Sequence, residues 1–442
     1  MEREFYQKLI KWKKSAARKP LVLRGARQVG KTYILNEFAK REYADYVYVN
    51  FDHEPHFASF FQENLDPKRI IKELNIYFKK KILPGSTLII FDEIQECPQA
   101  LASLKYFCEM ENEYHVASAG SLLGVKLTKG FPVGKVNFLD LAPLSFFEFL
   151  HAVGESSLRL MLEDLKSPKE ITELFHHKLT TLLKYYFIVG GMPEAVATYL
   201  KTENLDEVRV IQKEILDAYV LDFAKHAPKD EVMKIMTVWE SIPNQLAKEN
   251  KKFIFSALRA SARARAFETS IQWLKSAGLI IKSNAISAPK LPLDAYSNKL
   301  SFKLFMLDVG LLGAMSRLDP RVVLEEERLF QEFKGALTEN YVAVELHDNH
   351  FDALYYWVSE GIAEVDFIVS YDQCIYPLEV KAGFSKKKKS LLAYASKYSQ
   401  EEDASSVLSR ASLRNFAFVG NLMNFPLYAI SLFPRLAATA VS

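Results

Sequence analysis

The feature that most constrains the fold of this chain is a glycine-rich stretch between an apolar run and a helical pattern. Residues 21–39 read LVLRGARQVGKTYILNEFA, and GARQVGKT within them matches Gly-x-x-x-x-Gly-Lys-Ser/Thr at every defined position. The run PLVLRG suits a strand that is buried on both faces, and TYILNEFAK has helical periodicity. A strand, this loop and a helix in that order predict a phosphate-binding site.

In such a loop, the backbone N–H groups and the N-terminus of the helix point to one place, where they hold the β-phosphate of a nucleotide. Lys31 is expected to reach the β- and γ-phosphates, and Thr32 to ligate magnesium. The alternative is a glycine-rich turn with a surface lysine. The residues predicted to bind the nucleotide are Gly25, Ala26, Arg27, Gln28, Val29, Gly30, Lys31, Thr32 and Tyr33.

A strand with an acidic end supports this prediction. STLIIFDEIQECP at 86–98 predicts a buried strand that ends in Asp92 and Glu93. Because ligands of parallel α/β sheets bind at the carboxyl ends of strands, Asp92 is expected beside the magnesium and Glu93 beside the attacking water. We predict that Glu93 is the catalytic base; the alternative is a strand-end acid that faces solvent.

Three further apolar runs complete a core of five strands: YVYVNFD at 46–52, YHVASAGS at 114–121 and KVNFLDL at 135–141. Helical patterns separate most of these runs, which predicts an α/β fold with a mostly parallel sheet and right-handed crossovers. Ser121, at the end of one run, is a candidate sensor of the γ-phosphate. The alternative for Ser121 is a serine in a simple turn.

Length and composition limit the class of protein. A chain of 442 residues exceeds what one core usually supports, and a prior of about 150 residues per domain suggests roughly three domains. With 49% hydrophobic and 25% charged residues the chain is not disordered. Cys97, Cys108 and Cys374 have no metal-ligand spacing and fit a reducing compartment. No signal peptide or long apolar run is present, so we expect a cytoplasmic protein without a membrane partner.

Five segments resemble one known family: LRGARQVGKT, IIFDEIQECP, SAGSLLGVKL, GFPVGKVNFLDLAPLSFFEFL and YFIVGGMPEAV. They are similar to the AAA-type ATPases of bacteria and archaea that carry a C-terminal domain of unknown function, and the resemblance covers nearly the whole chain. It implies a P-loop ATPase fold of the additional-strand class, a helical and winged-helix middle, and a restriction-endonuclease-like C-terminal domain. We therefore expect an ATPase with ATP and Mg²⁺ as cofactors.

One position departs from that family. Many relatives place an arginine after the glycine that leads to the fifth strand, whereas Lys135 follows Gly134 here, and no arginine occurs between residues 69 and 159. An arginine finger stabilises transition-state charge through a planar fork of donors that lysine lacks. We expect slow hydrolysis unless Arg27, Arg209 or a neighbouring subunit supplies the charge.

The domain division predicted from these patterns has four parts. They are a P-loop ATPase domain at 1–155, a helical lid at 156–225, a winged helix-turn-helix at 226–320 and a nuclease-like domain at 321–442. The helical pattern of the second part ends at a Gly-Gly-x-Pro break, and the third part contains a candidate hairpin at 287–303.

Basic residues surround the predicted helix pair of the third part: Arg259, Arg263, Arg265 and Lys275. They are candidates for contacts with nucleic-acid phosphates. The alternative is a solvated helix face.

The segment EGIAEVDFIVSYDQCIYPLEVKAG at 360–383 reads as two apolar runs joined at Asp372 and Gln373. If these two residues form a two-residue hairpin turn, Asp366 faces Glu379. The same register makes one face apolar through three pairs: Val365 with Val380, Phe367 with Leu378, and Val369 with Tyr376. Because Asp-Gln is not a favoured turn pair, a slip by two residues is the alternative.

Two carboxylates about 5 Å apart repel by roughly 3 kcal/mol at an effective dielectric constant of 20. A favourable cross-strand pair contributes less than about 1 kcal/mol. The pair Asp366 and Glu379 therefore needs a cation, and we predict magnesium there, with Lys381 near the attacked phosphate. This is the Asp, then Glu-x-Lys, arrangement of restriction-endonuclease-like nucleases, and Glu339 on the preceding helix completes the predicted metal ligands.

Two alternatives to this metal site stay open. The register also lets Lys381 pair with Glu364, which would leave Glu379 as a strand-end acid. A retained fold with lost activity is the other alternative. The lysine run at 386–389 either follows a nucleic-acid backbone or forms a solvated face.

The leading hypothesis is an ATPase whose nucleotide cycle controls a nuclease-like half that acts on DNA or RNA. The rival is a nucleotide-gated switch that binds a protein partner and cuts nothing. An oligomer is compatible with both hypotheses.

Overall fold

The computed structural model describes residues 3–121, 132, 134–248, 251–258, 263–324, 331–349, 351, 353–359, 363–383, 389–398 and 407–440. The chain divides into two compact units. The N-terminal unit comprises Glu2–Pro143 with Ser276–Gly278, and the C-terminal unit comprises Leu144–Lys275 with Leu279–Ser442.

The N-terminal unit alternates strands with helices. Its elements are α1 (Phe5–Lys14), β1 (Leu21–Arg24), α2 (Lys31–Glu42), β2 (Asp45–Asn50), α3 (Pro67–Phe78), β3 (Thr87–Asp92), α4 (Pro98–Met110), β4 (His115–Ala119) and β5 (Asn137–Asp140). All five strands are parallel, in the order β2-β3-β4-β1-β5. The predicted α/β fold with a parallel sheet is therefore confirmed.

The buried pattern of the strands explains this arrangement. Every residue of β3 and β4 is buried, which is typical of strands that helices cover on both faces. The strand β4 lies between β1 and β3, so the carboxyl ends of β1 and β3 lie on one edge of the sheet, two strands apart. The glycine-rich loop follows β1, and the acidic pair Asp92 and Glu93 stands at the end of β3, so both lie at this edge.

The helix α3 shows how local sequence builds the core around that sheet. Asp66 precedes the helix and its side chain accepts a hydrogen bond from Lys68 N, which caps a free N–H group. The apolar stripe that includes Ile70 and Leu74 then packs into the same core as Phe91 of β3.

The chain after residue 143 contains the remaining helices. They are α5 (Phe146–Ala152), α6 (Ser156–Glu163), α7 (Glu173–Val189), α8 (Pro193–Thr202), α9 (Leu205–His226), α10 (Val232–Leu246), α11 (Ala264–Ser276), α12 (Val309–Met315), α13 (Pro320–Leu324), α14 (Gln331–Asn349), α15 (Lys389–Tyr398) and α16 (Phe433–Thr439). Among the described helices, none combines the length and the apolar character that crossing a membrane requires.

The predicted helix stop at the two glycines between α7 and α8 is confirmed. Gly190 has φ +71°, and a Cβ on it would lie 2.3 Å from Asp308 Oδ1. A Cβ on Gly191 would lie 2.0 Å from the carbonyl oxygen of Leu144. Asp308 accepts hydrogen bonds from Gly191 N at 2.6 Å and Leu311 N at 2.8 Å, so it ties this break to α12. Only glycine fits at these two positions.

The C-terminal unit contains an eight-stranded mixed sheet in the order β12-β13-β11-β10-β9-β8-β6-β7. Its strands are β6 (Ile280–Ile286), β7 (Ser297–Met306), β8 (Leu354–Val358), β9 (Glu364–Tyr371), β10 (Cys374–Val380), β11 (Leu408–Ser412), β12 (Ala417–Val419) and β13 (Leu422–Pro426). The helix α14 lies between β7 and β8 in the chain.

The hairpin predicted at 287–303 is displaced in the structure. Its strands are β6 and β7, and residues 287–296 connect them. The strand β6 also pairs in parallel with β8, so the hairpin continues the C-terminal sheet and does not form a sheet of its own. The division into four domains stays a prediction.

Candidate functional site

The glycine-rich loop joins β1 to α2 with a backbone that requires glycine. Gly25 has φ +145°, and a Cβ on it would lie 2.3 Å from the carbonyl oxygen of Leu141. Gly30 precedes α2 with φ +95°. Both conformations are strained for residues with a side chain. The backbone of the loop therefore requires glycine at residues 25 and 30.

Lys31 is the first residue of α2 and its side chain turns back onto the loop. Its Nζ donates hydrogen bonds to the carbonyl oxygens of Gly25 at 3.0 Å and Ala26 at 2.7 Å. Only 7% of Lys31 is exposed. The loop thus already holds an ammonium group next to its own backbone.

Thr32 and Asp92 meet as the sequence predicted. Thr32 Oγ1 donates to Asp92 Oδ2 at 2.8 Å. A third residue, which the sequence analysis missed, joins them: Tyr48 Oη donates to the same carboxylate oxygen at 2.6 Å, and Asn50 Nδ2 donates to Tyr48 Oη at 3.1 Å. No pattern in the sequence marks Tyr48; the parallel alignment of β2 with β3, in which Asn50 pairs with Asp92, brings it to this carboxylate.

Burial sets the charge properties of Asp92. Its desolvation raises the pKa of the carboxyl above the ordinary value, while the hydrogen bonds from Tyr48 and Thr32 oppose that rise. A buried carboxylate gains stability from a nearby cation. Mg²⁺ prefers oxygen ligands, so the Thr32 hydroxyl and the Asp92 carboxylate fit this ion.

Glu93 and Ser121 also meet. Glu93 has φ +48° and its carboxylate Oε2 accepts hydrogen bonds from Gln95 Nε2 at 2.5 Å and Ser121 Oγ at 3.4 Å. Gln95 is a second residue that the sequence analysis missed, although it stands in the segment DEIQ directly after the strand. The site therefore combines the predicted base with two polar groups that orient it.

Arg27 and Arg209 are the predicted substitutes for the arginine that Lys135 replaces, and they belong to different segments of the chain. Lys135 pairs with Glu109 at 2.9 Å, and Arg27 is half-buried in the loop itself. Arg209 belongs to α9, where its Nη1 donates to Gln212 Oε1 at 2.5 Å and to the carbonyl oxygen of Gly310 at 3.0 Å. Burial lowers the pKa of Arg209 to about 10.

The C-terminal hairpin forms in the predicted register. Asp372 and Gln373 have φ +47° and +63°, as a two-residue turn between right-twisted strands requires. The ladder runs from Cys374 opposite Tyr371 to Leu378 opposite Phe367. Beyond its last pair, Asp366 Oδ2 accepts a hydrogen bond from Val380 N at 2.7 Å.

A set of four buried or half-buried acids lies at this end of the hairpin, and we call it the carboxylate cluster. Its members are Glu339, Glu364, Asp366 and Glu379. Lys303 of β7 lies among three of them: it pairs with Glu364 and lies 3.5 Å from Glu339 Oε2 and 3.8 Å from Asp366 Oδ1.

Two further lysines complete the pairing. Lys251 pairs with Glu339, and Lys381 pairs with Glu379 at 2.6 Å. The structure therefore does not show the alternative in which Lys381 pairs with Glu364, because Lys303 pairs with Glu364. The signal for Lys303 was a lysine inside the apolar run SFKLF, which requires an acidic partner when buried.

The magnesium site predicted from Glu339, Asp366 and Glu379 is not formed as a ligand group. Within the part of the chain that the structure describes, no three carboxylate, histidine or cysteine side chains are arranged to hold a metal ion. The physical reason is that lysines or a backbone N–H group engage each of the three acids.

The acids and lysines shift one another's pKa values. Burial and Glu339 raise the pKa of Asp366 to about 7, although the lysines oppose this. Burial alone lowers the pKa of Lys303, but Glu339, Glu364 and Asp366 outweigh it and raise the pKa. The pKa of Glu339 is lowered because Lys251 and Lys303 outweigh its burial. Because its pKa is raised, Lys303 stays charged although its side chain is fully buried.

The predicted basic surfaces are described only in part. Arg263, Arg265 and Lys275 are exposed on or beside α11, whereas Arg259 lies outside the described residues. Residues 386–388 of the lysine run also lie outside them, and Lys389 is exposed. Exposure is compatible with a nucleic-acid surface and with a solvated face alike.

Three family models match successive parts of the chain. An AAA domain matches residues 17–150, and two domains of unknown function, DUF8612 and DUF4143, match residues 180–322 and 334–430. The AAA match contains the glycine-rich loop, the acidic strand end and Ser121. Residues 17–150 are thus an AAA-type P-loop domain. No curated protein matches the chain.

Several solved structures are similar at low identity. The Walker-type ATPase PABY2304 of Pyrococcus abyssi is 13% identical, with 71% of this chain and 95% of that chain covered and a TM-score of 0.44. The ORC1 protein of Aeropyrum pernix in complex with DNA is 13% identical, with 71% and 90% covered and a TM-score of 0.29. AMPPCP-bound DnaA from Aquifex aeolicus is 15% identical, with 62% and 88% covered and a TM-score of 0.28.

Proposed function

We propose that the N-terminal unit binds Mg·ATP at the glycine-rich loop and hydrolyses it. The observation that carries this proposal is the hydrogen bond between Thr32 Oγ1 and Asp92 Oδ2 at 2.8 Å, next to a loop that already holds the Lys31 ammonium. The AAA domain match supports the same function.

The residues of the loop would act on the triphosphate through charge and aligned donors. The loop N–H groups and the N-terminus of α2 would hold the β-phosphate, and Lys31 would leave its carbonyl partners for the β- and γ-phosphate oxygens. Thr32 and Asp92 would hold magnesium, which neutralises phosphate charge when bound.

Glu93 would orient the attacking water. The water oxygen forms a bond to the γ-phosphorus, the bond from that phosphorus to the bridging oxygen breaks, ADP leaves, and Glu93 accepts the proton of the water. Gln95 and Ser121 would fix the position of the Glu93 carboxylate. Since Lys135 is paired with Glu109, turnover is expected to be slow without an arginine from elsewhere.

Two variants test this function. Lys31→Ala is expected to abolish nucleotide binding in calorimetry with Mg·ATP. Glu93→Gln is expected to retain binding but to lose about 100-fold or more in phosphate release, which is the range for a general base. Lys19→Ala, which removes an exposed contact with the carbonyl oxygen of Gly134, serves as the matched control. Equal phosphate release from Glu93→Gln and the unchanged protein would remove Glu93 from this role.

For the C-terminal unit we propose that the nucleotide cycle gates partner binding by a nuclease-like fold that does not cleave. The sequence-based hypothesis was a metal-dependent nuclease acting on DNA or RNA. One observation favours the rival hypothesis of a non-cleaving switch: Lys303, with no exposed surface, lies 3.5 Å from Glu339 Oε2 and 3.8 Å from Asp366 Oδ1, two of the three acids predicted to bind magnesium.

A nuclease assay distinguishes a C-terminal unit that cleaves nucleic acid from one that does not. The protein and an Asp366→Ala, Glu379→Ala double variant are incubated with Mg²⁺ or Mn²⁺ and with single- and double-stranded DNA and RNA. We expect no cleavage from either. Metal-dependent cleavage by the unchanged protein that is absent from the double variant would show a nuclease and overturn the proposal of a non-cleaving fold.

A further inference from the structure

We propose that Lys303 and Lys251 are built-in counter-ions of the carboxylate cluster, and that removing the Lys303 charge opens a site for Mn²⁺ or Mg²⁺ there. This inference rests on the C-terminal part of the proposed function and is independent of the nucleotide site. It assigns to two lysines the place that an oxygen-liganded divalent cation would otherwise take.

The position of Lys303 is the first observation. Its side chain has no exposed surface, and its Nζ lies among carboxylates from two elements, Glu339 of α14 and Glu364 and Asp366 of β9. The centroid of the Tyr356 ring lies 4.9 Å from Nζ. A fully buried ammonium is stable only when it is paired, so these acids hold Lys303 in the interior and Lys303 holds them together.

The charge balance of the cluster is the second observation. Lys251 pairs with Glu339, and the exposed fractions of the two side chains are 13% and 7%. Lys381 pairs with Glu379, with exposed fractions of 29% and 5%. Three ammonium groups, together with the Arg410 guanidinium opposite Glu379 in the pairing of β10 with β11, thus lie near four carboxylates. The two most buried ammonium groups are Lys303 and Lys251.

The acceptor capacity of the acids is the third observation. Glu379 Oε2 is buried and accepts no hydrogen bond within the described part of the chain. Replacing Lys303 with methionine keeps an unbranched apolar stem and removes one positive charge. Two ammonium groups and the Arg410 guanidinium then remain for four acids, and a hard divalent cation with oxygen ligands is the chemistry that offsets the lost charge.

The test uses the full chain, MnCl₂ alone and no nucleotide. Binding is followed by calorimetry and by the change in melting temperature with Mn²⁺ concentration. Lys303→Met is expected to bind Mn²⁺ about tenfold or more tightly than the unchanged protein and to gain thermal stability with it. Lys251→Met is expected to show a smaller gain. Adding Asp366→Asn to Lys303→Met is expected to abolish the gain.

Lys282→Met is the matched control. Lys282 belongs to β6, next to β7, and its Nζ lies 4.2 Å from the centroid of Phe302 rather than in the carboxylate cluster. It is expected to behave like the unchanged protein. Any weak Mn²⁺ binding at Thr32 and Asp92 is common to all of these proteins, so only differences between them report on the cluster.

Two results would overturn the proposal. One is saturable Mn²⁺ binding by the unchanged protein that Asp366→Asn removes, since the lysines would then not exclude the ion. The other is a folded Lys303→Met that gains no affinity. If Lys303→Met does not fold, Lys251→Met decides in its place, and a folded Lys251→Met without a gain rejects the proposal. Loss of the ATPase proposal would leave these comparisons unchanged.

Discussion

Tyr48 is a residue outside the glycine-rich loop whose hydroxyl contacts Asp92. Its hydroxyl donates to Asp92 Oδ2 at 2.6 Å, and this hydrogen bond lowers the pKa of a carboxyl that burial raises. A hydrogen bond to a charged group contributes about 1.5–3 kcal/mol. Tyr48 is therefore a positioning residue for the proposed magnesium site.

Tyr48→Phe is predicted to lower kcat/KM for ATP hydrolysis most at acidic pH. Without the hydroxyl, the pKa of Asp92 rises further, so the carboxylate that supports magnesium becomes protonated at a higher pH. The acidic limb of the kcat/KM profile should therefore move to higher pH, and the affinity for Mg·ATP at neutral pH should fall about tenfold. A pH series of phosphate release measures both effects.

Tyr43→Phe is the control for this experiment. Tyr43 is another tyrosine of the N-terminal unit, but its hydroxyl contacts His115 Nδ1 at 2.8 Å and not Asp92. The acidic limb of the kcat/KM profile of Tyr43→Phe should coincide with that of the unchanged protein. If the limb of Tyr48→Phe also stays in place, Tyr48 does not set the charge of Asp92.

At the residue scale, sequence reasoning found the groups that a local pattern marks. Thr32, Asp92 and Glu93 stand at fixed places in a loop or at a strand end, and the structure shows Thr32 in contact with Asp92. Tyr48 and Lys303 were missed because their partners are distant in the chain. Such contacts depend on which strands become neighbours, and a single sequence does not mark that.

At the scale of single elements, the hairpin of β9 and β10 was predictable because its turn fixes the register. Side chains alternate along a strand, so one choice of turn residues decides which face each side chain occupies. The displaced hairpin of β6 and β7 lacks such a turn. Residues 287–296 form a ten-residue connection, and the parallel pairing of β6 with β8 has no local signal.

A change in the turn of β9 and β10 is predicted to stabilise the C-terminal unit. Asp372 and Gln373 are exposed and both have positive φ, which asparagine and glycine adopt at lower cost. The double variant Asp372→Asn, Gln373→Gly should gain about 0.5–1 kcal/mol in free energy of unfolding. Urea unfolding followed by tryptophan fluorescence measures the gain.

Asp372→Pro tests the same turn in the opposite direction. Proline fixes φ near −65°, which the observed φ of +47° does not allow, so this variant should lose more stability than the double variant gains. A stabilising proline would show that the turn has a different backbone.

At the scale of the whole molecule, each of the two compact units has its own sheet. Units with separate sheets and cores can unfold in separate steps, and a ligand stabilises only the unit that binds it. Calorimetric melting is therefore predicted to show two transitions, of which Mg·ATP raises one.

Lys31→Ala should remove that shift and leave the other transition in place. A single transition that moves as a whole with Mg·ATP would instead show that the two units unfold together. Either result is read from the same scans, recorded with and without nucleotide.

The continuity of the C-terminal sheet decides where a working fragment can begin. The region matched by DUF4143 starts at residue 334, after β6 and β7, yet β8 takes its outer backbone partners from β6, from Ser283 opposite Leu354 to Ile286 opposite Trp357. An excised piece that starts there would carry a bare strand edge that invites aggregation. Cutting the chain at that point would divide one sheet, so a fragment that keeps β8 paired on both sides must reach back at least to residue 280.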